Sequence, residues 1–191
     1  MAAVHVIVVG AGPAGAALAF LLARRGIETT LLERQGDFAR EFRGEGLMPS
    51  GQDAIRQMGL GDRLDALPSA HVRELHLYQG ASRRLALPLA RDGAGPRFVS
   101  QPALLEMLVA EAAESPRFRL ERSFTARDLL RDGERVVGVR GDGPDGPREV
   151  TGSLVVGADG RASMVRKRSG LDRPTAPEAF DVVWCRVPMA E

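Results

Sequence analysis

Residues 10–15 read Gly-Ala-Gly-Pro-Ala-Gly and fall in the middle of a stretch, 4–23, that contains no Asp, Glu, Lys or Arg. An uncharged run of that length suggests a membrane span or a signal peptide. Two features oppose both. No positive charge precedes the run, and Gly10, Gly12, Pro13 and Gly15 interrupt it where backbone exposed to lipid would be costly. The halves also differ in character. Val4, Val6, Ile7, Val8 and Val9 are β-branched and suit a buried strand, whereas residues 14–23 are mainly Ala and Leu and suit a helix. Gly26 is a natural helix stop, and 27–33 is a second β-rich run. Strand, helix and strand within thirty residues predict a βαβ unit with parallel strands and a right-handed crossover.

In that setting the glycines carry chemistry. Gly10 permits a sharp turn, Gly12 lets a pyrophosphate approach the backbone, and Gly15 lets the helix pack close to the strand. A side chain at Gly12 is expected both to collide with the ligand and to strain the turn. Pro13 and Ala14 open the helix, whose N-terminus offers N–H groups and a positive dipole end to phosphates. Glu33 ends the second strand, 18 positions after Gly15, where an acid accepts the two ribose hydroxyls of a dinucleotide. Arg34 follows it and is placed in the same site. The alternative is a ligand-free, Ala/Gly-rich βα turn with Glu33 as a surface acid. The pattern alone does not separate NAD from FAD.

A second segment does. Residues 152–166 read GSLVVGADGRASMVR, an apolar strand running into Gly157-Ala158-Asp159-Gly160, then Arg161, Ser163 and Arg166. This resembles the Asp-Gly motif of FAD-dependent monooxygenases of the p-hydroxybenzoate hydroxylase type. Residues 43–51, RGEGLMPSG, with the apolar helix after them, and Ser100-Gln101-Pro102-Ala103-Leu104-Leu105 resemble two further segments of that family. The resemblance implies that Asp159 and Gly160 lie near the FAD pyrophosphate and the path of NAD(P)H. It also implies that Arg43 reaches the phosphates or ribityl chain, that Gln101 hydrogen-bonds FAD, and that the backbone near Phe124 passes the adenine. Without the family, Asp159 reads as a helix N-cap, Arg43 as a surface ion-pair partner and Gln101 as a helix cap.

The fold class expected is α/β: a Rossmann-like FAD-binding domain with a parallel sheet and a β-meander, plus the start of a β-rich substrate domain. Residues 1–70 are assigned to the FAD-binding βαβ unit and following helices, 71–100 to the first strands of the substrate domain, 101–170 to a return to the FAD-binding domain, and 171–191 to a truncated second substrate-domain segment. Helices are expected at 50–58, with Ser50 as N-cap, at 60–67, at 101–114 and after Gly160. Strands are expected at 71–79 and 83–89, then as a meander from 117–121, 124–130 and 135–140, with 141–147 as turn, followed by 149–156 and 179–187. The family's later Gly-Asp motif is absent, since Gly61-Asp62 and Gly141-Asp142 are both misplaced for it. The chain therefore reads as part of a longer enzyme. On its own it is expected to associate through Phe180, Val182 and Trp184, to retain FAD poorly, and to be inactive.

Composition narrows the remaining options. A net charge of +1 provides no field for nucleic acid. A single cysteine, Cys185, excludes an internal disulfide or a cysteine-clustered metal site, and His5, His71 and His76 are too scattered for a histidine site. His71 and His76 read as opposite faces of one strand. Ser163 has no His and Asp placed by a motif, so hydrolysis has no support. The resemblance implies a cytoplasmic enzyme in which NADH or NADPH reduces FAD and O₂ then supplies one oxygen to a small organic substrate. No catalytic side chain and no metal is assigned. A halogenase or prenyl reductase of the same architecture, and a non-catalytic FAD-binding fragment, are the alternatives.

Overall fold

The computed structural model describes residues 4–39, 46–90, 95–171 and Val183. The chain divides into two compact units, residues 1–39 with 105–181 and residues 40–104 with 182–191. The segment 1–70 thus contributes to both units.

The first unit is built on a parallel sheet in the order β12-β1-β2-β8. Strand β1 (His5–Val9) is central, and Val6, Ile7, Val8 and Val9 are all buried, because a central strand is covered on both faces. Helix α1 (Pro13–Arg24) crosses to β2 (Glu28–Leu32) and buries Gly15, Ala16, Ala19, Phe20 and Ala23. Small residues on that face let the helix approach the sheet. The helix stops at Arg25 and Gly26, and Gly26 takes φ +70°. No helix among the described residues is long and apolar enough to cross a membrane. The stretch 4–23 is spent on a strand and a helix instead.

Three antiparallel strands follow, β9 (Thr125–Asp132), β10 (Arg135–Gly143) and β11 (Gly146–Thr151). They pack against the parallel sheet, burying Phe124, Leu129, Val139 and Val150 with Ile7, Val9, Leu32 and Val165. Strand β8 (Phe118–Glu121) was expected to open this meander. It instead pairs in parallel with β2, Thr29 beside Phe118, and forms the edge of the main sheet. The expected loop 141–147 is mostly strand, with β10 and β11 joined by residues 144–145 alone. The expected strand 149–156 is two strands, β11 and β12 (Leu154–Gly157), broken where the Ser153 N–H turns to the His5 carbonyl. Helix α5 (Met164–Ser169) closes the unit.

The second unit holds α2 (Pro49–Gln57), α3 (Gly61–Asp65) and a small sheet, β3 (Gly46–Leu47), β7 (Arg97–Val99) and β4 (Ser69–His71) in that order. Helix α2 begins one residue earlier than expected. Met48 is its N-cap and Pro49 its first residue, so Ser50 lies inside the helix. No strand is expected from the sequence at β3 or β7. They are too short to show a periodicity. The hairpin β5 (Glu74–Gln79) and β6 (Ser82–Pro88) turns at Gly80, φ +59°. His71 is in β4 and His76 in β5, so they belong to two sheets and not to opposite faces of one strand. Helix α4 (Gln101–Ala113) contains the boundary between the units and buries Leu104, Leu105, Leu108 and Val109. The expected strand 179–187, with Trp184 and Cys185, lies outside the described residues apart from Val183, which is exposed.

Two buried polar side chains pin the second unit. Gln52 donates from Nε2 to the carbonyls of Leu47 and Gly95, at 3.0 and 2.9 Å. Arg97 is 4% exposed and donates to Asp65 Oδ1 at 2.6 Å and to Ser69 Oγ at 2.7 Å. One guanidinium thus ties β7 to the end of α3 and the start of β4. Arg97→Ala is expected to lower unfolding free energy by about 2 kcal/mol, because hydrogen bonds from a charged group are lost and their acceptors left behind. Urea unfolding, compared with Arg73→Ala on the surface, measures it.

Candidate functional site

The loops that follow β1 and β12 meet at the carboxyl ends of the parallel strands, the place where open α/β sheets bind ligands. The Gly10 N–H donates to the Leu32 carbonyl and the Ala158 N–H to the Val9 carbonyl, both at 2.8 Å. These bonds extend the sheet by one rung and bring the two loops together.

The three glycines of 10–15 do different work. Gly10 has φ +99°, and a Cβ there would lie 2.5 Å from the Ala158 carbonyl oxygen. A Cβ on Gly15 would lie 1.9 Å from the Gly10 carbonyl oxygen. Both positions are closed to any side chain by backbone, which cannot give way. Gly12 has φ −68° and ψ 178°, extended backbone open to any residue, and a Cβ there would meet nothing within 4 Å. The expected strain at Gly12 is therefore absent, since no positive φ is required there. The protein itself leaves this space open, directly at the N-terminus of α1. No side chain caps that terminus, Pro13 has no N–H to satisfy, and the first helical bond runs from the Ala16 N–H to the Gly12 carbonyl at 2.9 Å. Pro13 and Ala14 are exposed.

Glu33 is 3% exposed, not a surface acid. Its carboxylate accepts the Ala11 N–H at 2.9 Å and the Gln35 N–H at 3.0 Å. It therefore ties the glycine loop to the end of β2. Arg34 beside it is exposed. Phe124 splits into two roles: its ring is buried in the core, while its N–H donates to the Glu33 carbonyl at 2.9 Å. Backbone at 124 and the acid at 33 are thus neighbours.

Asp159 spends its carboxylate on the start of α5. Oδ1 accepts from Ser163 Oγ at 2.5 Å, and Oδ2 accepts the Met164 N–H at 2.6 Å and the Val165 N–H at 3.2 Å. Gly160 is exposed with φ +82°, a left-handed conformation that glycine adopts without strain. Ser163 is the residue that site reasoning from sequence passed over. Its signal was a serine directly before a helical run, the ordinary N-cap position, and its hydroxyl accepts the Arg166 N–H. Gln101 opens α4 in the second unit, where Ser100 Oγ, not Gln101, accepts the Ala103 N–H at 3.5 Å. Arg43 lies outside the described residues. A cavity of about 660 Å³ in the first unit is lined by Leu129, Val136, Val155 and Val165 together with Gly157, Asp159, Gly160 and Ser163. None of residues 10–15 lines it, so it is not the phosphate cradle.

A parallel sheet with a glycine loop at a strand end, an uncapped helix N-terminus and a buried acid under the loop defines a dinucleotide-binding α/β domain. The chain belongs to the FAD binding domain family, whose model matches residues 3–190. It is 37% identical over 194 residues to 6-methylpretetramide 4-monooxygenase of Streptomyces rimosus, a match covering 95% of this chain and 44% of that protein. It is 31% identical over 171 residues to squalene monooxygenase of Rattus norvegicus, covering 85% of this chain and 30% of that one. Among solved structures, aklavinone-11 hydroxylase in ternary complex with FAD and aklavinone superposes with a TM-score of 0.74 at 25% identity, over 87% of this chain and 35% of that one. The chain thus spans less than half the length of these relatives.

The glycines predict opposite outcomes for one methyl group. Gly15→Ala is expected to destabilise the protein by more than about 3 kcal/mol, since backbone must shift to admit the Cβ. Gly12→Ala is expected to cost under about 1 kcal/mol, the difference between glycine and alanine at an N-cap. Urea unfolding of the two variants without cofactor tests the contrast.

Proposed function

We propose that this chain is the FAD-binding part of a flavin-dependent monooxygenase that uses NADH or NADPH and O₂ to hydroxylate or epoxidise a small, electron-rich organic molecule in the cytoplasm. The observation that carries the reading is the open space at Gly12. The loop is packed so tightly at Gly10 and Gly15 that no side chain fits, yet at Gly12, over an uncapped helix end, only a ligand would object to one. A pyrophosphate fits that donor set. The names of the similar proteins, two monooxygenases and a hydroxylase, support the activity.

In this reading the N-terminus of α1, from Gly12 through Pro13 and Ala14, holds the pyrophosphate, and Glu33 accepts the adenosine ribose hydroxyls, with Arg34 and the backbone at Phe124 at the adenine side. The family resemblance further assigns Arg43, Gln101 and the Asp159-Gly160 loop to FAD. FAD when bound supplies the redox and O₂ chemistry. The residues of this chain bind and orient it, and none is assigned to proton transfer. Hairpin β5–β6 is placed in the substrate domain. One face carries the cross-strand pairs Leu75–Leu87 and Leu77–Leu85, all partly exposed, which suits an apolar chamber or a covering layer.

Two variants of the protein carrying this chain test the reading. Gly12→Val is expected to fold but purify colourless, because the branched group fills the pyrophosphate position. Normal flavin absorbance in that variant refutes it. Glu33→Gln keeps size, loses the charge-assisted part of the ribose bonds, about 1 kcal/mol, and turns an NH2 toward the Ala11 or Gln35 N–H, so the FAD Kd is expected to rise at least about fivefold on titration of the apo-protein.

A further inference from the structure

We infer that Ser163 is a positioning residue for the cofactor loop, acting through an Asp159 carboxylate that belongs to the protein's own framework and not to the ligand. The cofactor half of this inference rests on the FAD reading above. Ser163 is buried, 6% exposed, and both sides of its hydroxyl are used. It donates to Asp159 Oδ1 and accepts the Arg166 N–H at 3.0 Å. Asp159 Oδ2 takes the next two N–H groups of α5, those of Met164 and Val165. With the Ser163 N–H bonded to the Gly160 carbonyl at 3.1 Å, residues 159–166 form one closed hydrogen-bonded unit. Three of the roughly four acceptor positions of the carboxylate are consumed within it.

The chain leading into that unit meets the glycine loop through the backbone of Ala158 and Asp159 and the Ala158 methyl group. A Cβ placed on Gly10 would lie 2.5 Å from the Ala158 oxygen and 2.9 Å from the Asp159 Cα, and one on Gly15 would lie 1.9 Å from the Gly10 oxygen. On the other side, a Cβ on Gly157 would lie 2.8 Å from the Val165 Cβ. Gly157 is therefore held against α5 and Ala158 against Gly10, while Gly160 beyond them faces open space. When the cap loosens, Ala158 and Asp159 move against Gly10, and the Gly10 carbonyl carries the movement to Gly15 and the first turn of α1. Ser163 sets the position of a phosphate-binding helix end without touching it.

The test uses Ser163→Ala, Ser163→Thr, Asp159→Asn and the double variant S163A/D159N in the protein carrying this chain. Two readouts are taken: FAD Kd by titration of the apo-protein, and amide hydrogen exchange of the apo-protein with no cofactor present. Ser163→Ala and Asp159→Asn are each expected to raise Kd about tenfold, with the double variant no worse than the weaker single one, because both break the same unit. Exchange is expected to quicken at 164–166 and at 11–16 together. Ser163→Thr, which keeps the hydroxyl, is expected to restore both readouts. Asp159→Asn weakening FAD while Ser163→Ala does not, additive losses in the double variant, or unchanged exchange at 11–16 in Ser163→Ala would overturn the inference. A wild-type protein that takes up no FAD, with exchange still coupled between the two segments, refutes the cofactor reading and leaves the positioning role standing.

Discussion

The first unit depends on a contact with no side chain in it: the backbone of Gly10 against the backbone of Ala158, with Gly15 seated on the Gly10 carbonyl. Any Cβ at Gly10 or Gly15 would push β1, β12 and α1 apart. The parallel pairing of β1 with β12 and the approach of α1 to β1 both converge on this point. Glycine here is a packing requirement before it is a binding one. The helix end presented to solvent is a consequence of that packing.

Two acids stabilise the arrangement from opposite sides. Glu33 fixes the Ala11 N–H from beneath, at the end of β2, and Asp159 fixes the start of α5 beside the Ala158 contact. Glu33 is buried and Asp159 half-buried, and both accept from N–H donors, which is the condition for keeping a carboxylate inside a protein. A dinucleotide arriving at Gly12 therefore meets a loop already ordered by the protein. Ordering entropy that would otherwise oppose binding has been met during folding.

The second unit is organised on a different principle. Its small sheet and short helices bury few large apolar side chains, and Arg97 and Gln52 supply directional bonds where bulk packing is thin. Its hairpin leaves four leucines partly exposed, and an isolated two-stranded hairpin is marginal in water. This unit is the part of the chain whose apolar surface is least accounted for by its own contacts.

Much of this was readable in the sequence because it rests on local chemistry. The run Val6–Val9, the glycines, the Ala/Leu helix and the second strand dictate a βαβ unit, and Glu33 falls at the strand end by spacing alone. At position 12 the structure leaves open space where the sequence suggested a ligand's approach, and the strain expected there is not found. Pairing across the chain was not legible. Nothing in Phe118–Glu121 says that it lies beside β2 in parallel instead of opening a meander, since a strand's neighbours are set by the path of the chain between them. Strands β3 and β7 are two and three residues long and exist only through pairing, β3 with β7 and β7 with β4. The division of labour among the three glycines, and the closing of Asp159 onto Ser163 and α5, depend on which backbone comes within contact distance. Sequence fixes which residues can tolerate such contacts. Only the tertiary structure decides which of them are made.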